Sequence, residues 1–271
     1  MENIEFNFDG TDYAIIKFGN SISPQINERV RSVCEYFESL SQKKELPDSI
    51  VEWVPTYCTV CVYYNPLRIS LAKIKKILCA AVKFNGAAKG NSGTLHEIPV
   101  CYEDEFSPDM KNVCAHSGLS KEEVVAAHTS PVYTVYMLGF LPGFAYLGGM
   151  DERLETPRLE VPRVKIPAGS VAIGGRQTGV YPVDSPGGWQ IIGRTNVKPY
   201  DVFRNPKILF RAGDKIKFRA VTKDEFALLE KQSVGEDSCG GECAKERYVA
   251  TSGIKILSAG AGTFIETAGV R

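Results

Sequence analysis

The stretch of residues 132–149, VYTVYMLGFLPGFAYLGG, joins a strand-like run of β-branched and aromatic residues to a loop rich in glycine and proline. The same character continues to Tyr200, because residues 139–200 hold 11 glycines and 7 prolines between short apolar runs. Glycine and proline destabilise helix interiors, and short strands separated by turn residues are typical of barrels and sandwiches. The predicted strands cover residues 132–138, 170–173, 189–192, 208–210 and 215–221. The second half of the chain is therefore predicted to be mostly β.

The first half alternates strand-like and helix-like patterns instead. The predicted strands cover residues 11–18, 50–54, 57–64 and 95–102, and the predicted helices begin near Pro24 and after Pro66. In the first helix, apolar residues recur at three- and four-residue steps, which gives one buried stripe. The resulting order, βαββαβ, is that of a ferredoxin-like α+β domain. We predict this domain for residues 1–103.

Two short helices are predicted between the halves, over residues 107–116 and 120–128, and Ser120 with Glu123 forms a capping box for the second one. The pair is similar to a helix-turn-helix motif, but the segment is slightly acidic. DNA-binding helices carry basic residues that contact phosphates. No nucleic-acid partner is therefore predicted.

The composition is that of an ordinary folded protein. The chain has 32 basic and 32 acidic side chains, so its formal net charge is zero and no overall field attracts polyanions or membrane surfaces. Apolar runs fall well short of the roughly 20 residues that span a bilayer, and the first residues lack the pattern of a signal peptide. We expect a cytoplasmic protein with no membrane partner.

Cys58 and Cys61 form a C-x-x-C pair within a strand-like run. Residues three apart on a strand point to opposite faces, so these thiols could not bind one zinc ion. No metal site is predicted.

A series of loop motifs gives more specific information. The motifs are GFLPGFAYLGG at residues 139–149, TPR and VPR at 156–158 and 161–163, PAGSV at 167–171, QTGVYP at 177–182, SPGGWQIIGRT at 185–195 and AGD at 212–214. In this order they resemble the allophanate hydrolase subunit 1 family, also called the KipI family, and the resemblance covers residues 11–222. It implies a ferredoxin-like N-terminal domain followed by a cyclophilin-like, mostly-β barrel domain, here residues 104–230.

The resemblance implies three functions. Family members include the B-type component of bacterial 5-oxoprolinase, which acts with A- and C-type subunits to hydrolyse 5-oxoproline to glutamate with ATP. Other members inhibit a sporulation histidine kinase, and related modules form the carboxyltransferase part of urea carboxylase. We predict the first function, in a hydrolase complex that uses ATP, with Mg, as co-substrate and in which this chain is inactive alone. The other two remain alternatives. The sequence has no G-x-x-x-x-G-K-[ST] phosphate loop of its own.

The candidate site residues lie mainly in the matched loops. A 5-oxoproline ring carries a carboxylate and a lactam, and ATP adds phosphates, so the site needs cationic side chains, backbone donors and dry walls. The predicted substrate- and ATP-binding residues are Phe140, Pro142, Phe144, Tyr146, Arg158, Arg163, Arg176, Gln177, Thr178, Tyr181, Ser185, Gly187, Gly188, Trp189 and Arg194. His128 is the candidate general base. The alternatives are surface ion pairs for the arginines, core positions for the aromatic residues and a turn-capping role for Ser185.

Residues 231–271 are predicted to be a linker and a tail. Residues 233–245 are polar and rich in glycine, as flexible linkers are. Residues 254–260, IKILSAG, resemble the opening of the family's subunit 2, or C-type, protein. This resemblance predicts a C-type partner, and an ordinary C-terminal strand is the alternative.

Overall fold

The computed structural model describes residues 4–8, 10–84 and 93–236, together with residues 255–256 and 265–266. The strands are β1 (Glu5–Asn7), β2 (Tyr13–Lys17), β3 (Ile50–Pro55), β4 (Thr59–Tyr64), β5 (Leu95–Cys101), β6 (Tyr133–Leu138), β7 (Ala145–Gly148), β8 (Arg163–Ile166), β9 (Ser170–Gly174), β10 (Gln177–Val180), β11 (Ser185–Gly187), β12 (Gln190–Arg194), β13 (Lys215–Val221), β14 (Lys255–Ile256) and β15 (Ile265–Glu266). The α-helices are α1 (Pro24–Gln42), α2 (Leu71–Lys83), α3 (Met110–Ser117), α4 (Lys121–Thr129) and α5 (Lys223–Glu236), and Glu152–Leu154 form a 3-10 turn. The predicted α+β class is confirmed.

The first unit packs α1 and α2 on a four-stranded antiparallel sheet of order β1-β2-β4-β3. Helix α1 begins at Pro24, and the Ser23 hydroxyl accepts a hydrogen bond from the Ile26 amide at 3.2 Å. Its residues Val30 and Phe37 are fully buried against the sheet. Local periodicity therefore predicted this helix and its buried face correctly.

The second unit is a closed seven-stranded barrel of order β10-β7-β6-β13-β5-β12-β9. Strand β5 runs parallel to β13 along its whole length, and its Ile98 and Val100 lie in the barrel core. Residues 95–102 therefore do not close the first sheet, and the predicted order βαββαβ is corrected: β1 lies at the edge beside β2 instead. Alternation along a strand shows that one face is covered, but it does not show which core covers it.

The connector helices and most of the predicted barrel strands are confirmed. Helix α4 has the predicted capping box, with the Ser120 hydroxyl and the Glu123 carboxylate satisfying each other's backbone amides. The predicted strand at residues 208–210 is wrong, because Ile208 forms only an isolated bridge with Tyr200. Among the described residues, no helix has both the length and the apolar character to cross a membrane.

Helix α5 continues to Glu236, into the predicted linker. In the tail, β14 pairs with β15 in antiparallel register. The rest of the predicted linker, and most of the segment that resembles a C-type partner, lie outside the described residues.

Candidate functional site

The loops at one side of the barrel enclose a cavity of about 260 Å³. Its lining consists of Phe140, Phe144, Tyr146, Arg158, Pro162, Tyr181, Pro186, Gly187, Gly188 and Trp189. Eight of these ten residues are predicted site residues. Pro162 and Pro186 were not predicted, although both lie in matched motifs. The structure thus brings residues of five loop motifs together in one pocket.

An aromatic cluster forms the floor of this pocket. The buried Phe144 ring makes edge contacts with Tyr146, Tyr181 and Trp189, with ring centroids at 5.0, 5.4 and 5.5 Å respectively. Edge-to-face packing is the favoured geometry for aromatic pairs. Phe140 lies at the mouth with 57% of its surface exposed and a positive φ of 69°, a conformation that is uncommon for a residue other than glycine.

Gly174 allows Trp189 to lie flat against β9. A Cβ atom added at this glycine would come within 2.5 Å of the indole ring, well inside van der Waals contact. Only glycine therefore fits beneath this wall of the pocket.

Arg158 is the cation of the pocket. Its guanidinium carbon lies 5.9 Å from the centre of the Trp189 ring, a distance within the range of a cation–π contact. It forms no ion pair with any carboxylate in the part of the chain that the structure describes. Burial raises the pKa values of Tyr146 and Tyr181, and the charge of Arg158 only partly offsets this rise. Both phenols therefore stay protonated near neutral pH and can donate hydrogen bonds.

The other predicted arginines have different surroundings. Arg163 lies 2.6 Å from Asp109, a buried carboxylate that also accepts the Ile191 amide at 2.7 Å. Arg176 forms exposed ion pairs with Glu152 and Glu155 at 2.6 and 3.5 Å. The alternative of structural ion pairs therefore describes these two residues.

Arg194 lies outside the aromatic pocket, in a second hollow of about 210 Å³. This hollow is also lined by Gly169, Thr195, Asn196 and Lys198. The hollow also holds the Glu230 carboxylate and the apolar side chains of Val197 and Phe226, so its lining carries charges of both signs.

Four further predicted residues do not line the aromatic pocket. The Gln177 side-chain amide is hydrogen-bonded to the Tyr57 hydroxyl, and Thr178 is buried, with its hydroxyl donating to the Ala172 carbonyl at 3.1 Å. Ser185 is buried in β11, and Pro142 is exposed in the loop between Phe140 and Phe144. The structure brings these four near the site without placing them on its surface.

The position of His128 argues against the predicted role of general base. The imidazole is completely buried, with Nδ1 at 2.7 Å from the Tyr102 hydroxyl and Nε2 at 2.8 Å from the Thr178 hydroxyl. Burial lowers its pKa from 6.5 to about 3. Because a general base must reach its substrate, we correct this interpretation to that of a neutral histidine that crosslinks the barrel core.

Tyr57 lies beside this site and was not predicted from the sequence. It belongs to the turn between β3 and β4 of the first unit, and its ring centroid lies 5.8 Å from that of Tyr146. No local pattern predicts this contact, because it joins residues of two units with separate cores.

The chain is similar to a known family and to several known proteins. The profile of the family "Carboxyltransferase domain, subdomain C and D" matches residues 4–210. The B-type component of 5-oxoprolinase from Bacillus subtilis (strain 168) is 38% identical over 234 residues, which cover 83% of this chain and 95% of that protein. Its counterpart of the same name from Escherichia coli O157:H7 is 53% identical over 122 residues, covering 45% of this chain and 56% of that protein.

Solved structures agree in fold. The crystal structure of TTHA0988 superimposes with a TM-score of 0.67 at 34% identity, covering 77% of this chain but only 40% of that one. The Kluyveromyces lactis urea carboxylase gives a TM-score of 0.66 at 18% identity over 84% of this chain and 23% of that enzyme, a likeness that shows the fold alone. This chain thus spans well under half the length of both proteins.

Proposed function

Because the chain belongs to the carboxyltransferase domain family, subdomain C and D, we propose that it is one component of a 5-oxoprolinase complex and binds 5-oxoproline in the aromatic pocket. The proposal is supported by the B. subtilis relative, which is named as the B-type component of 5-oxoprolinase and matches over 95% of its length. The reaction would be the ATP-dependent opening of the lactam to glutamate.

The observation that carries the assignment to this pocket is the position of Arg158 above Trp189, with no carboxylate partner among the described residues. A guanidinium binds a carboxylate with two parallel hydrogen bonds, which fixes both position and orientation. The substrate carboxylate would take this place, while its small ring packs against the aromatic floor. The phenols of Tyr146 and Tyr181 would then donate hydrogen bonds toward the lactam carbonyl.

We propose ATP, with Mg, as the co-substrate of the complex. Within this chain, the hollow beside Arg194 is the second candidate surface, since arginine is a usual partner of phosphate oxygens. We assign ATP hydrolysis to the assembled complex with A- and C-type subunits. The finer fold names that the motifs imply, ferredoxin-like for the first unit and cyclophilin-like for the barrel, also remain proposals.

An omission experiment tests the assignment to this complex. The chain is co-expressed with candidate A- and C-type subunits, and release of glutamate from 5-oxoproline is measured with and without ATP and with and without this chain. ATP-dependent glutamate release that requires this chain is expected. Full activity in its absence would refute the assignment, and the alternatives of a histidine-kinase inhibitor or a carboxyltransferase module would then be tested instead.

A further inference from the structure

A rigid turn of the first unit presents Tyr57 to the barrel. The Thr56 amide donates to the Thr59 carbonyl at 2.8 Å, and the Thr56 hydroxyl accepts the Thr59 amide at 3.0 Å. The carbonyl of the next residue, Cys58, accepts the Phe18 amide at 2.9 Å, which ties the turn to the end of β2. The backbone on both sides of Tyr57 is therefore held in place by hydrogen bonds within the first unit.

The Tyr57 side chain makes three contacts with the barrel. Its ring packs edge-on to Tyr136 and Tyr146, with centroids at 6.1 and 5.8 Å, and its hydroxyl is hydrogen-bonded to the side chain of Gln177. Burial raises the pKa of the Tyr57 phenol, so that it stays protonated. The two units meet here through a hydrogen-bonded aromatic cluster.

Asn27 of α1 strengthens the same junction. Its side-chain amide lies 3.4 Å from the carbonyl of Tyr57 and 3.3 Å from the carbonyl of Tyr136. Asn27 is itself buried, with 1% of its surface exposed. One side chain of the first unit thus connects the Tyr57 turn to strand β6 of the barrel.

Tyr146 links this junction to the pocket. Its ring lines the cavity, packs on Phe144 with centroids at 5.0 Å, and lies 6.4 Å from the Trp189 ring. The same ring is packed against Tyr57. We propose that Tyr57 is a positioning residue that holds the Tyr146 ring in place. Through this contact, the first unit determines the shape of the pocket, although the lining residues all belong to the barrel unit.

Two consequences follow, and only the second rests on the proposed function. First, the pocket wall loosens when the Tyr57 ring is removed, even with no ligand present. Second, in the 5-oxoprolinase complex the loss raises KM for 5-oxoproline and leaves kcat nearly unchanged, because Tyr57 touches the binding wall and not the substrate. Loss of one aromatic pair corresponds to roughly a 2- to 10-fold change in KM.

A ligand-free experiment tests the first consequence. The chain has two tryptophans, so Trp53→Phe leaves Trp189 as the reporter, and acrylamide quenching of its fluorescence measures access to the pocket. Tyr57→Ala is expected to raise the quenching constant and Tyr57→Phe, which retains the ring, to stay near the parent. Tyr63→Ala is the matched control, since Tyr63 pairs with Tyr13 within the first unit at 6.0 Å. Should Tyr57→Ala not fold, Tyr57→Leu replaces it with the same expected rise.

Equal quenching in the Tyr57→Ala (or Leu) and Tyr63→Ala variants would overturn the proposal, because general loosening of the first unit would then explain both. In the complex, an unchanged KM for Tyr57→Ala would overturn it as well. If the complex forms no glutamate with any variant, the proposed function fails, while the quenching result still decides whether Tyr57 positions the pocket.

Discussion

Acidification should destabilise this chain through one buried imidazole. His128 is inaccessible to solvent, its ring nitrogens lie 2.7 and 2.8 Å from two hydroxyl groups, and its ring stacks on Phe218 with centroids at 4.6 Å. Burial lowers the pKa of this imidazole from 6.5 to about 3. The perturbation is a change from about pH 7 to about pH 5.

The magnitude follows from proton binding in the two states. The unfolded imidazole gains its proton near pH 6.5, whereas the folded one gains it only near pH 3, so the unfolded state binds more protons between these values. The free energy of unfolding therefore falls by about 1.4 kcal/mol for each pH unit below 6.5. At about pH 5 the loss is about 2 kcal/mol. This value requires only that the folded pKa lies below 5.

Urea unfolding at about pH 7, 6 and 5 measures this loss. The variant His128→Gln should be less stable at neutral pH but should lack the His128 part of the pH dependence. The variant His116→Gln is the control, because His116 is exposed, and it should keep the full dependence. If wild type and His128→Gln lose the same stability between about pH 7 and pH 5, the argument that burial lowers the pKa of His128 is refuted.

Two further substitutions test the walls of the site. Asp109→Ala leaves the Arg163 guanidinium and the buried Ile191 amide without their acceptor. Urea unfolding should therefore show a loss of about 2–3 kcal/mol in the free energy of unfolding. Arg176→Gln removes only exposed ion pairs and should lower this free energy by less than about 1 kcal/mol. An equal effect of the two would contradict the buried pairing. Gly174→Ala should displace the Trp189 indole and lower the free energy of unfolding by about 1–3 kcal/mol. In a Trp53→Phe background, the fluorescence of Trp189 should shift to the red. An unchanged spectrum would show that the indole does not need this glycine.

The sequence predicted what local chemistry determines. Helix α1 follows from a proline in its first turn and a regular apolar stripe, and the capping box of α4 follows from Ser120 and Glu123 alone. Strand β5 was recognised as a strand but assigned to the wrong unit, because its parallel partner β13 lies about 120 residues further along the chain. Residues that are distant in sequence determine such pairings.

The candidate site shows the same limit. The loop motifs identified most of the pocket lining, because glycines, prolines and aromatic residues that build it stand in compact blocks. They did not distinguish Arg158 from Arg163 and Arg176, since the three look alike until the carboxylates that pair with Arg163 and Arg176 are placed. Tyr57 gave no signal, because its importance arises only where the first unit packs on the barrel.

The most direct test of the central claim is the KM for 5-oxoproline of the complex assembled with Arg158→Gln. Loss of a charge-assisted hydrogen-bond pair should raise this KM by roughly 10- to 100-fold, while Arg176→Gln, whose guanidinium is already paired with Glu152 and Glu155, should leave it unchanged. The contradicting result is a complex that still requires this chain and ATP but has the same KM with wild type and with Arg158→Gln. This result would show that 5-oxoproline does not bind in the aromatic pocket.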